Sequence, residues 1–182
     1  ILATMDALGL AGEPLELVRM GTRAAIEAGV SVTGAFDDAC ASMLGGIVLT
    51  DNRSDALLSR GIMPDHLKAV IYIPNFQIRK GSLPFDRIKA VSDIADLAFQ
   101  QALEGNYHRA LTLNGMCYSA AMGLDQEVAM KALRNGALSA GLTGTGPATV
   151  MLVEEEKVKD FLSAMEGYQL AVVDIYNGEE GR

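Results

Sequence analysis

Tryptophan is absent from this 182-residue sequence, and cysteine and histidine occur only twice each. His66 and His108 form no HxH or HExxH pattern, and Cys40 and Cys117 form no CxxC, so no metal centre is expected. Both cysteines lie in apolar, helix-like surroundings and are expected to be small buried hydrophobes. Both histidines are expected at the surface. No apolar run approaches the roughly 20 residues that span a bilayer, and no signal-peptide pattern opens the chain. The expected compartment is therefore the cytoplasm. GxxxxGK[ST] is missing too, which excludes a Walker-type phosphate loop. Basic residues are in deficit: the formal net charge is −8, and neither nucleic acid nor an anionic membrane favours such a surface. That charge still leaves room for small anions bound by a local Arg or Lys. What remains, 49% hydrophobic and 21% charged residues, is the composition of a globular domain or two.

The chain opens in mid-pattern. Leu2, Met5 and Leu8 followed by Gly9 look like the end of a helix that starts upstream, so the sequence is expected to be a piece of a longer protein. Pro14 opens a second helix that runs to Gly29. Asp38–Leu44 makes a short third helix, broken by Gly45-Gly46, and residues 47–50 read as a strand before a polar loop through Asp55. A second unit begins near Leu67 with the strand Ala69–Ile73, stopped by Pro74. Helices at about 86–104, 107–123 and 126–140 follow, the last with Asp125 as its N-cap. A glycine-rich segment, a strand at 147–153, a helix at about 155–165 and a strand at 169–175 complete the unit. The polar tail from Asn177 is expected to be mobile. Helices gathered between strands predict an α+β fold.

Two motifs carry chemistry. Gly141-Leu142-Thr143-Gly144-Thr145-Gly146-Pro147 offers backbone freedom, exposed N–H groups and two hydroxyls, the ingredients of an anion nest. In this reading it follows a helix, whose carbonyl end repels anions, so it makes a poor phosphate cradle alone. Taken alone, the segment is better explained as a glycine cap and a tight turn before a strand. The second motif is Thr33-Gly34-Ala35-Phe36-Asp37-Asp38-Ala39-Cys40-Ala41-Ser42, closed by Gly45-Gly46. Adjacent aspartates at a helix start point about 100° apart, so one is free to cap while the other faces a cleft.

The Gly-x-x-Asp-Asp segment with its double glycine, followed by Gly-Leu-Thr-Gly-Thr-Gly-Pro-Ala, resembles the GHMP kinase superfamily in order and separation of motifs. Its wording is most similar to archaeal-type shikimate kinase. The resemblance covers essentially the whole chain and implies a two-domain architecture. Residues 1–62 would be the remainder of the N-terminal domain, and residues 63–182 a C-terminal ferredoxin-like α+β domain. The family's Ser-rich phosphate loop would lie upstream of Ile1, so the nucleotide-binding residues would not be in this sequence and the chain alone would be inactive. Apolar surface left uncovered would then favour self-association.

By resemblance, the activity is transfer of the γ-phosphoryl of ATP, with Mg2+, to a hydroxyl of shikimate, giving shikimate 3-phosphate for aromatic amino-acid biosynthesis. Asp38, by its spacing to Gly45-Gly46, is the implied catalytic carboxylate, with Asp37 in reserve. Thr143, Gly144, Thr145 and Gly146 would shape the acceptor pocket. Arg79, backed by Lys80, would take a substrate carboxylate bidentately; a solvated loop charge is the plain alternative. Two other readings share the motifs: a GHMP kinase acting on a homoserine-, mevalonate- or pantoate-type alcohol, and a non-catalytic binding module with the same fold.

Overall fold

The computed structural model describes residues 2–31, 33–78 and 83–178. Two compact units divide the chain: the first runs up to Met63 and takes back the segment beginning at Tyr176, and the second is Pro64–Ile175. The second unit is thus inserted between two pieces of the first.

The first unit contains α1 (Leu2–Ala7), α2 (Pro14–Glu27), α3 (Phe36–Leu44), β1 (Ile47–Asp51) and β2 (Ala56–Gly61). Pro14 stands in the first turn of α2, where its missing N–H has no partner to lose. Val18 and Thr22, one turn apart, are the buried residues of α2, and Phe36 and Cys40 those of α3. Val18, Phe36 and Cys40 form the unit's small core, flanked by partly buried Leu15, Ala39, Met43, Leu44 and Val48. Strands β1 and β2 pair antiparallel, with a register shift between Leu49 and Thr50. Their connection is fastened by Asp51, whose carboxylate accepts from Arg53 N–H at 2.9 Å and Ser54 Oγ at 2.8 Å. The polar loop expected through Asp55 is this connection; the strand β2 that follows it at Ala56 was not expected.

The second unit contains β3 (Leu67–Tyr72), α4 (Phe85–Ala90), α5 (Ser92–Leu103), α6 (Tyr107–Met122), α7 (Glu127–Arg134), β4 (Ser139–Leu142), β5 (Thr149–Glu154), α8 (Val158–Ala164) and β6 (Leu170–Asp174). The strands form one sheet in the order β4-β5-β3-β6, and every neighbouring pair is antiparallel. Taken as strand, helices, two strands, helix, strand, this is the split βαβ plan of ferredoxin-like folds. Val70, Ala140, Met151 and Val153 of the sheet share one buried cluster with Val128 and Ala132 of α7 and Phe161 of α8. The segment 86–104 is two helices, because Val91 departs from helical geometry at φ −108°, ψ 12°.

One difference matters for function. The helix expected over 126–140 stops at Arg134, and Ser139–Leu142 is a strand. The glycine-rich segment therefore joins β4 to β5 as a hairpin loop; it does not follow a helix. The objection that a helix carbonyl end repels anions there falls away. Asp125 is not the N-cap of α7, a position that Gln126 holds, but from one residue earlier its carboxylate accepts from Glu127 N–H at 2.8 Å.

Candidate functional site

Chain entry into α3 sets the aspartate pair. Gly34 and Ala35 both take positive φ, 77° and 51°, a turn braced by Gly34 N–H to Ser31 Oγ at 3.0 Å and Ala35 N–H to Thr33 Oγ1 at 3.3 Å. Gly34 is packed closely on α2: a Cβ there would stand 3.0 Å from Thr22 Cβ. The helix then buries Phe36 and Cys40 and leaves Asp37 and Asp38 exposed. Neither aspartate caps it, since Ala35 occupies the N-cap and no side-chain cap bond is made. Both carboxylates sit in the first turn, where the helix dipole favours negative charge. Expectation and structure differ on capping: both carboxylates are exposed, about 100° apart around α3, and neither is the cap.

Gly45 and Gly46 end α3, and the reason they are glycine is steric. A Cβ on Gly45 would collide with Gly178 N and stand 2.6 Å from the Asn177 carbonyl carbon, and one on Gly46 would collide with Gly61 O. The tail expected to be mobile from Asn177 is here closely packed at Asn177 and Gly178.

In the second unit, Thr143, Gly144, Thr145 and Gly146 lie together on the β4–β5 loop. Thr143 N–H donates to Ala148 O at 3.0 Å and Gly146 N–H to Thr143 O at 3.1 Å, and the Gly146–Pro147 peptide is cis. Gly141 does something else. A Cβ there would stand 2.5 Å from Leu111 O, and one on Gly115 would collide with Gly141 Cα, so this glycine pair lets α6 lie directly on β4. Gly144 has φ 58° and nothing within 4 Å of where a Cβ would be, which leaves the backbone approachable from outside.

Sequence reasoning missed the wall facing this loop. A cleft of about 330 Å³ runs between the loop and α4 and α6, with Gly144 and Thr145 on one side and Asn114, Tyr118, Met122 and Ile88 on the other. Asn114 and Tyr118 are one helical turn apart on α6, a polar pair on an otherwise small and apolar face. That spacing was the available signal. Further along the same helix, His108, expected at the surface, is half-buried with its Nδ1 3.1 Å from the buried Ser139 Oγ. Thr112 Oγ1 accepts from Ala140 N–H at 3.3 Å. His66 is exposed. Arg79 and Lys80 lie outside the described residues.

Burial pushes the Cys40 and Cys117 thiols above their ordinary range, and both are free and buried, which suits packing and not nucleophilic chemistry. Among the described residues, no group of three or more His, Cys, Asp or Glu could hold a metal ion. A magnesium ion arriving with a nucleotide would depend on phosphate oxygens and one or two carboxylates, the usual manner for that ion. Asp37, exposed in the first turn of α3, could supply one such carboxylate. No helix among the described residues is long and apolar enough to cross a membrane.

Residues 96–169 match the family model for the C-terminal domain of GHMP kinases. The chain is 45% identical over 166 residues to a shikimate kinase of Methanosarcina acetivorans, covering 91% of this chain and 56% of that protein. A shikimate kinase of Methanothrix thermoacetophila is 46% identical over 164 residues, covering 90% of this chain and 56% of its own length. The chain thus spans little more than half the length of these relatives. Among solved structures, Methanococcus jannaschii mevalonate kinase shares the fold with a TM-score of 0.70 at 16% identity, over 95% of this chain and 60% of that one. A homoserine kinase from Cytophaga hutchinsonii gives 0.61 at 18% identity, over 96% and 62%. Residues 96–169 thus match the C-terminal domain of GHMP kinases, and over about nine-tenths of its length the chain is similar to shikimate kinases.

Proposed function

We propose that this chain is part of an ATP-dependent kinase that phosphorylates a hydroxyl of shikimate, with Asp38 as the carboxylate that receives the hydroxyl proton. The supporting observation is the contrast in similarity: 45–46% identity to shikimate kinases, against 16–18% to the mevalonate and homoserine kinase structures. In such a transfer the acceptor oxygen forms a new O–P bond as the bond from the γ-phosphorus to the ADP oxygen breaks. Positioning and charge neutralisation supply most of the acceleration. Magnesium, when bound, would neutralise the phosphate charge. Asp38, on the exposed face of α3, orients the hydroxyl and takes its proton. Asp37 is the neighbouring carboxylate that holds the alternative role. Thr143 to Gly146 form a wall through backbone N–H and hydroxyl groups, and Arg79 pairs with the shikimate carboxylate. A biosynthetic ATP-consuming reaction of this kind belongs in the cytoplasm.

The test uses the polypeptide as the cell makes it, assayed with ATP against shikimate, homoserine, mevalonate and pantoate. Phosphorylation of shikimate with kcat/KM at least about 100-fold above the others is expected; preference for another alcohol would replace the acceptor named here. Asp38→Asn is expected to lower kcat at least about 100-fold with ATP affinity little changed. Near-normal turnover in that variant would remove Asp38 from the role.

A further inference from the structure

The segment Tyr176–Gly178 follows β6 in sequence but belongs to the first unit. Its centre is Asn177, whose side-chain amide is bonded on both sides to one residue. Met63 N–H donates to Asn177 Oδ1 at 2.9 Å, and Asn177 Nδ2 donates to Met63 O at 2.9 Å. This closed pair of bonds needs a short side chain that is both donor and acceptor. On either side the main chain is joined to the end of α3. Gly46 N–H donates to Tyr176 O at 2.7 Å. Arg60 Nη2 donates to Leu44 O and, at 3.3 Å, to Asn177 O. Gly178 fits because a Cβ there would collide with Leu44 O. Leu44 is the last residue of α3. The helix whose first turn carries Asp37 and Asp38 is therefore tied at its other end to the far end of the sequence.

We infer that Asn177 is a positioning residue for the Asp38 carboxylate, acting through the C-terminal end of α3. The inference rests on the assignment of Asp38 made above. The physical reason is that packing alone holds α3 weakly. It has nine residues and buries only Phe36 and Cys40 fully, so its tilt and rotation need a second anchor. The Gly34-Ala35 turn holds one end and the Asn177 segment the other. Rotation of a helix by a small angle displaces a side-chain carboxylate by about 1 Å, a misplacement able to cost on the order of 100-fold in rate.

The experiment again uses the polypeptide as the cell makes it. Asn177→Ala is expected to lower kcat about 10-fold with KM for ATP within about twofold of the parent, since misplacement affects the reacting geometry more than binding. Amide exchange over Ala39–Leu44 should speed up while that of β3 and β5, in the second unit, stays unchanged. In an Asp38→Asn background, adding Asn177→Ala should cost less than about a further twofold, because no carboxylate is left to misplace. Asn177→Asp keeps the acceptor for Met63 N–H and loses the donor, so its kcat should fall between. It also carries the same comparisons should Asn177→Ala not fold. Unchanged kcat in Asn177→Ala, unchanged α3 exchange, or a full multiplicative loss in the double variant would each overturn the inference. Normal turnover of Asp38→Asn alone removes instead the proton-acceptor reading, so the two failures are told apart.

Discussion

At the scale of single residues, the point under tension is Ala35. It is one of two described non-glycine residues with positive φ, at 51°, and it stands immediately before the helix that carries Asp37 and Asp38. A left-handed conformation costs an L-residue with a Cβ roughly 1–2 kcal/mol, and strain of this kind gathers where surrounding structure imposes it. The imposing contacts are the Ser31 and Thr33 hydroxyls and the close seat of Gly34 on Thr22. Ala35→Gly is therefore expected to stabilise the protein by about 0.5–1 kcal/mol, the relieved strain being partly offset by a freer unfolded chain. A higher urea midpoint at unchanged slope would register this; a lower midpoint would mean that Ala35 is not held left-handed. Much at this scale was legible beforehand. Gly-x-x-Asp-Asp marked the right helix and the right turn. The reason for Gly45-Gly46 was not legible, because it depends on Asn177 and Gly178 crossing Leu44, a contact between residues far apart in sequence.

At the scale of elements, the seat of α6 on β4 decides how the glycine-rich loop is held. Gly115 and Gly141 touch backbone to backbone, Thr112 accepts the Ala140 N–H, and His108 meets the buried Ser139. Gly115→Ala or Gly141→Ala should cost about 1–3 kcal/mol, as overpacking does. Gly144→Ala meets no neighbour and should cost only the about 1–2 kcal/mol of its positive φ. Urea melts of the three variants test the ranking; equal losses at Gly141 and Gly144 would argue against close packing of helix on strand. Sequence missed β4 itself because Ser-Ala-Gly-Leu is short and lacks β-branched and aromatic residues, the usual strand signal. It missed β2 for a similar reason, since Ala-Leu-Leu-Ser-Arg-Gly has none of those residues. A second element-scale test concerns β3 and β6. Lys68 is opposite Asp174 in register, with Nζ 2.7 Å from Oδ1 and 3.0 Å from Glu155 Oε1. The bond to Lys68 holds the Asp174 carboxyl below its ordinary range, and the bonds to Asp174 and Glu155 hold the Lys68 amine above its own. The depressed Asp174 contributes stability that is present above its unfolded pKa of about 3.9 and is lost as pH falls through the lower folded value. The raised Lys68 contributes stability that is complete below about 10.4 and is lost as pH rises through the higher folded value. Thermal melts of Lys68→Met and the parent should therefore differ at neutral pH and converge toward both extremes. A gap that stays constant with pH would mean packing, and not the ion pairs, accounts for the difference.

At the scale of the whole molecule, the two units are built on unequal foundations. The second is one uninterrupted stretch of chain, with a four-stranded sheet and a core that joins Val70, Met151 and Val153 to Val128, Ala132, Phe161 and Met165. The first is discontinuous, and its core of fully buried apolar side chains is Val18, Phe36 and Cys40. Its β1–β2 pair is a two-stranded sheet, an arrangement that is marginal without something packed on it. An apolar trough of about 630 Å³ also lies open among Leu17, Val18, Ala39 and Met43. Burial of apolar area is what offsets chain entropy, so the two units should not melt together. A polypeptide of residues 64–175 is expected to fold alone, with a sigmoidal urea transition and protected amides in β3 and β5. The 182-residue chain should show that same transition preceded by an earlier one, in which α2 and α3 lose protection first. Asn177→Ala should move only the earlier transition, because the residues it releases, Met63 and through the adjoining main chain Gly46 and Leu44, all lie in the first unit. A single transition reported alike by α3 and β5 amides would show the chain to be one cooperative body, with the inserted unit contributing to the stability of the helix that carries Asp38.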